Sequence, residues 1–378
     1  MSPREGTVRQ SPRARATGRR LLFVSGECDG GAPRSTLELA RRLVPRYDVS
    51  VVLGDRSAAS ATYGRLTKGA VKLGRLGDLT AGRVAQRLGT NGQTATDRGV
   101  RIVRTAVAAN RARREIADWE PDAVIANSLP RVEMRWLLEH ARARGIPFVV
   151  YVREDHAVTH FSVSGLCPDL ALANSQTLTD QISPYQACTC VPSVVDTSGI
   201  RVEPTREVVV SVNPALDASA LDVARHCPEI DFVLQESWQM EPRFERELLE
   251  AVDALPNARF RRAVPGPNEL FADARLLLIT AQAGRPRIVV EAHACGIPVV
   301  APALPPMLEV VGDGGLLFPP ASTPAEIATV VRQACRASRY ESLCQAARSL
   351  SMSADRDPDA IAMRFDDALV GALWANSR

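Results

Sequence analysis

The chain has 378 residues, 46% hydrophobic and 24% charged, with a formal net charge of +3. This is the composition of a soluble globular protein with room for two domains. Aromatic residues at 5% are too few for a stacking platform on single-stranded nucleic acid, and without its arginine-rich start the chain is close to neutral, so a nucleic-acid role is excluded.

Met1 to Thr17 carries Arg4, Arg9, Arg13 and Arg15 among Ser, Pro, Gly and Thr, and residues 1–18 are read as a disordered basic tail. No apolar run is long enough to span a membrane, and no secretory apolar region stands at the N-terminus, so a cytoplasmic protein is expected. The eight cysteines include no C-x-x-C pair, which supports neither zinc nor a disulfide framework.

Leu21–Ser25 reads as a buried strand, followed by a tight loop through Gly30 and Gly31. Ser35 or Thr36 can cap the next helix, whose apolar face is Leu37, Leu39, Ala40 and Leu43. Val49–Leu53 completes a βαβ unit. Gly54–Gly99 has poor periodicity and reads as an irregular insert with one or two helices. Arg101–Trp119 is predicted helical, Ala123–Asn127 a strand, Val132–Arg144 a helix and Pro147–Val152 a strand. Leu170–Ser175 is another strand, with a helix from Thr177.

Glu203–Glu207 reads as a linker, after which strand Val208–Val212 restarts the alternation. Helix Ala218–His226, strand Asp231–Gln235, helix Phe244–Ala254 and strand Leu276–Thr280 follow. Arg287 to Val300 reads as a short helix bearing Glu291, a glycine stop at Gly296 and a parallel-type strand from Ile297. Helices are predicted over Pro324–Ser338 and Glu341–Ser349. Asp357-Pro-Asp359 starts a last helix, with the stripe Ile361, Phe365, Leu369 and Leu373. The expected fold is α/β, with two doubly wound domains facing across a cleft: 19–202, 203–355, and a C-terminal helix in 356–378.

In an open α/β sheet, ligands bind at the C-terminal ends of the strands. The Gly30-Gly31 loop before a helix is a candidate anion cradle, with Arg34 just after it. Arg285 and Arg287 flank the bend before the acidic helix, and arginine can hold phosphate in a bidentate grip. Arg153, Glu154, Asp155 and His156 end a buried strand of the first domain, and Asp155 and His156 are the candidates to orient or deprotonate an acceptor hydroxyl. His156 and His160 are four apart but have no third spaced ligand, so no metal site is read there. Asn174-Ser175 is given turn chemistry.

The run Glu291-Ala-His-Ala-Cys-Gly296-Ile-Pro-Val-Val300 and then Glu309-Val-Val-Gly-Asp-Gly-Gly-Leu-Leu-Phe-Pro-Pro320 resembles the donor-site region of the family 4 glycosyltransferases. The resemblance extends loosely from Leu21 to about Trp374. It implies a GT-B fold and retaining transfer of a sugar from a nucleotide diphosphate, as co-substrate, to a hydroxyl or amine of a small-molecule or glycan acceptor. It makes Glu291 the second glutamate of a Glu-x7-Glu motif and the ligand of the donor ribose, a task suited to a carboxylate accepting two hydroxyl bonds. Glu309 joins the donor site, the Gly30-Gly31 loop lies against the donor phosphates or sugar, and residues 153–156 face the acceptor. The last helix packs back on the first domain.

The sequence departs from the family where Ala283 stands for the first glutamate and Arg285-Pro286 for Phe-Gly. The basic pair that grips the pyrophosphate is also missing: no Lys or Arg lies between Val208 and Arg225. No Asp-x-Asp follows a predicted strand, which argues against a metal-bridged donor site, and neither metal nor cofactor is expected. A non-catalytic binding protein on the same fold, or an enzyme with another phosphorylated sugar donor, remains the alternative.

Overall fold

The computed structural model describes residues 18–28, 30–54, 93–215, 217–237, 240–281 and 286–374. Residues 1–17 of the basic tail, residues 55–92 of the Gly54–Gly99 insert, and Ala283 and Arg285 lie outside the described residues; the described end of that insert, Gln93–Asp97, is a strand where helices were expected.

The alternation of short apolar runs and amphipathic segments builds two sheets. The first takes β1 (Arg19–Ser25), β2 (Tyr47–Gly54), β3 (Gln93–Asp97), β4 (Val100–Thr105), β5 (Ala123–Asn127), β6 (Phe148–Val152), β7 (Leu170–Ala173) and β8 (Cys188–Cys190). Their order is β3-β4-β2-β1-β5-β6-β7-β8, parallel except for the antiparallel edge strand β3. The second takes β9 (Val208–Val212), β10 (Phe232–Gln235), β11 (Ala258–Arg261), β12 (Ala274–Leu278), β13 (Val299–Pro302) and β14 (Gly315–Phe318). Its order is β11-β10-β9-β12-β13-β14, parallel throughout. Chain order reverses direction at β1/β5 and again at β9/β12, which places one ligand-binding crevice on each sheet. The central strands have almost no polar interruption because helices cover both faces, and β5, β6 and β7 are buried at every position.

Two further local expectations are corrected, and two strands are new. The predicted helix Arg101–Trp119 is β4 followed by a helix from Ala108. Val100, Ile102 and Val103 are β-branched residues that β4 buries, and Arg101 donates to Glu115 of that helix. The first helix starts at Gly31, with Gly30 at its cap position and no side-chain cap. Ser35 and Thr36 lie inside it, and Thr36 Oγ1 turns back to donate to the Ala32 carbonyl at 2.9 Å. The strand ending at Phe318, inside the glycine-rich Glu309–Pro320 run, and the edge strand β11 had not been anticipated.

The helix Pro358–Leu369 starts as its sequence indicates: Asp357 accepts hydrogen bonds from the Asp359 and Ala360 amides. Its stripe enters the core beneath the first sheet. Phe365 stacks on Phe23 at 5.9 Å between ring centroids and meets Tyr151 at 6.0 Å. Ile361, Leu369 and Trp374 join the same cluster.

Candidate functional site between the two sheets

A cavity of about 540 Å³ lies where the C-terminal ends of the two sheets face each other. From the first domain it is lined by the Gly30–Ser35 segment after β1, by Arg153 and Glu154 after β6, and by Asn174 after β7. From the second it is lined by the ends of β9 and β10, by the Ala263–Pro267 loop, and by Arg287 and Glu291.

The Gly30 loop is built for close approach. Gly30 takes φ 101°, a conformation open to glycine. The 13-residue helix that follows has no acidic residue in its first turn and no side-chain cap, and its first residues line the cavity. Across the cleft, a Cβ added at Gly31 would touch the Arg287 side chain at 3.4 Å.

Glu291 sits on the helix Arg287–Ala294, which Gly296 ends at φ 68°. Its residue is only 3% exposed, because Val289, Val290 and Ala292 hold that helix in the core. Arg287 donates to Glu291 Oε1 at 2.9 Å, and the Arg34 guanidinium lies 3.7 Å from the same oxygen. Arg287 also donates to Glu38 Oε1 at 2.9 Å, Glu38 Oε2 at 3.2 Å and Ser35 Oγ at 3.1 Å, reaching into the first domain. The two carboxylates outweigh the burial of Arg287 and hold its pKa above the usual value. Sequence reasoning missed Glu38 and Ser35. Their signal was present: they lie seven and four residues beyond Gly31, spacings that return to one face of a helix.

Arg153 is 7% exposed and lies over the Tyr151 ring, 4.4 Å from its centroid. It donates from Nη1 to the Ala32 carbonyl. Among the described residues its Nε and Nη2 have no hydrogen-bond partner. Burial pushes its pKa down, aided by the nearby Arg287 and opposed by the Glu154 carboxylate and by the Tyr151 phenol, through its charge and a side-chain hydrogen bond. Glu154 accepts from Ser128 Oγ at 2.8 Å and stands 3.6 Å from His156 Nε2.

The structure therefore gathers Gly30, Gly31, Arg34, Arg153, Glu154, Arg287 and Glu291 around one cavity. It does not bring Asp155, His156 or Glu309 to that wall. The His156 side chain is 71% exposed. Glu309 reaches the first domain instead, where it accepts from the Gln176 and Thr177 amides at 2.9 and 2.8 Å and caps the helix Gln176–Ile182 together with Ser175. His160 is buried, and among the described residues no three His, Cys, Asp or Glu side chains gather as they would around a metal. No helix of the described residues is long and apolar enough to cross a membrane.

Residues 235–336 match the family model described as Glycosyl transferases group 1. A search of curated proteins finds no match. Among solved structures, HepE of Anabaena in complex with UDP-glucose is 17% identical, with 93% of this chain and 99% of that chain covered and a TM-score of 0.68. TarM of S. aureus, in complex with fondaparinux, alpha-GlcNAc-glycerol and UDP, is 10% identical over 93% of this chain and 99% of that one, with a TM-score of 0.63. WaaG, a glycosyltransferase involved in lipopolysaccharide biosynthesis, is 12% identical over 93% and 100%, with a TM-score of 0.58. The chain thus has the GT-B fold over nearly its whole length, and part of its second domain matches the group 1 glycosyl transferase model.

Proposed function

We propose that this protein is a glycosyltransferase that takes a sugar from a nucleotide diphosphate and passes it to a hydroxyl or amine of a small-molecule or glycan acceptor, with retention. One observation carries the reading: a buried carboxylate, Glu291, and an uncapped helix N-terminus at Gly31 face each other across a cavity between two switch points. A carboxylate there can accept both ribose hydroxyls, and the helix terminus can face the phosphates. The group 1 match over residues 235–336 and neighbours solved with UDP or UDP-glucose support a nucleotide-sugar donor.

In this reading the leaving diphosphate gathers negative charge as the glycosidic bond breaks, and fixed arginine charge with the helix terminus stabilises it. No resident metal or cofactor is assigned. Glu154 adjoins the cavity and Asp155 and His156 follow it in the chain, which supports reading the acceptor on that side. A protein of cytoplasmic type is proposed with it.

Calorimetric titration of the full chain with UDP, GDP and ADP tests the proposal. One of them binds, and Glu291→Ala weakens it by about 1–3 kcal/mol, as for a lost charged hydrogen bond. Glu291→Gln, which keeps the shape, separates lost charge from lost packing. A chain that binds none of the three is no transferase of this kind. That result would favour a non-catalytic partner protein, the second reading, which rests on the absence of Lys and Arg between Val208 and Arg225.

A further inference from the structure

We infer that Arg153, from the first domain, is the residue that grips the donor diphosphate, replacing basic residues the second domain does not supply. The inference rests on the transferase reading and assigns its phosphate contact.

Charge around the cavity decides which arginine is available. Arg287 is held by Glu38 and Glu291, and Arg34 adds a second cation beside Glu291. Those four side chains sum to zero, so Arg287 offers an incoming anion little net attraction. Arg153 differs. Its side chain meets a neutral carbonyl and the ring and phenol of Tyr151, while the adjoining Glu154 is bonded to Ser128. Among the described residues this buried guanidinium forms no ion pair like those of Arg287, and an anion brought to the cavity wall would supply its counter-charge.

Position agrees with charge. The carbonyl that Arg153 holds belongs to Ala32, in the first turn of the helix whose uncapped N-terminus lines the cavity. A guanidinium and a helix terminus at one place give an anion two planar donors and a dipole. The strand ends of the second domain opposite are acidic or neutral, with Asn213, Asp217 and Glu236 on the wall. An anion in the cavity is thus drawn to the first domain, while Glu291 holds the nucleoside end from the second.

The test compares each of UDP, GDP and ADP with its own nucleoside, using the full chain, Arg153→Met and Arg153→Lys, with melting curves for all three proteins. The expected result is a loss of about 10- to 100-fold in diphosphate affinity for Arg153→Met, nucleoside affinity unchanged within about twofold, and a smaller loss for Arg153→Lys. Equal losses for diphosphate and nucleoside would mean that Arg153 only supports the fold, and would overturn the assignment. Unchanged diphosphate affinity would also overturn it; a raised acceptor KM beside it would give Arg153 to an anionic acceptor. If Arg153→Met does not fold, Arg153→Lys carries the same comparison, and an unchanged ratio overturns the assignment. Should the unaltered chain bind no nucleotide, the transferase reading falls first, a result distinct from all of these.

Discussion

His293, one turn from the cavity and fully buried, shows how a single ring sets the acid limit of the fold. It follows Glu291 by two positions, on the other side of the same helix, and meets Arg356 at 2.7 Å from Nδ1. Burial, reinforced by that guanidinium and opposed by a Gly314 backbone contact, pushes its pKa down to about 3. In the unfolded chain the ring titrates near about 6.5. Between these values the unfolded state binds a proton that the folded state refuses, so stability falls as pH drops from about 6.5 towards 3 and levels off below. Melting temperatures across that window should fall more steeply for the unaltered chain than for His293→Gln. Parallel slopes would show that this histidine does not contribute. The ring was visible in the sequence only as a polar residue in an apolar helix, and its partner, 63 positions away, was not.

Among the elements, those with both a strong apolar run and a clear stop were legible. β5 and β9 are found at the expected residues, and Gly296 ends its helix in the left-handed conformation. Gly296→Ala would lose about 1–2 kcal/mol from the backbone alone, and its new Cβ would meet the Arg348 side chain. Denaturant unfolding measures this, and a loss below about 0.5 kcal/mol would mean the helix end relaxes freely. β4 was misread because only two residues separate it from the following helix, so one apolar pattern ran into the next. The site was partly legible for a similar reason. Glycine before a helix and a lone carboxylate on an apolar helix carry local signals, whereas the partnership of Glu38 with Arg287 spans 249 positions and depends on how the domains meet. Glu309 had the sequence context of a donor ligand, yet its carboxylate caps a helix of the other domain.

At the level of the whole molecule, the two sheets are joined by more than the irregular segment between β8 and β9. Arg287 bonds to Glu38, and Glu309 to the Gln176 helix. Exposed pairs of this sort are individually weak, but the Arg287 pair is buried, and removing one partner strands the other. Glu38→Ala should therefore lower the melting temperature and, by releasing Arg287, alter diphosphate affinity. If both stay unchanged, the contact between domains is incidental.

Phe365, Leu369 and Trp374 complete the core that begins with Phe23. The first domain is consequently not continuous in the chain: its last packing layer is encoded some 170 residues after its final strand. A fragment of residues 18–202 should stay partly unfolded by near-ultraviolet circular dichroism and gain structure when a peptide of residues 356–374 is added; a cooperative melt without the peptide would refute this. During synthesis, the half made first must wait with its apolar seam open until residues 358–374 have emerged, so its core closes only after the second half has been made.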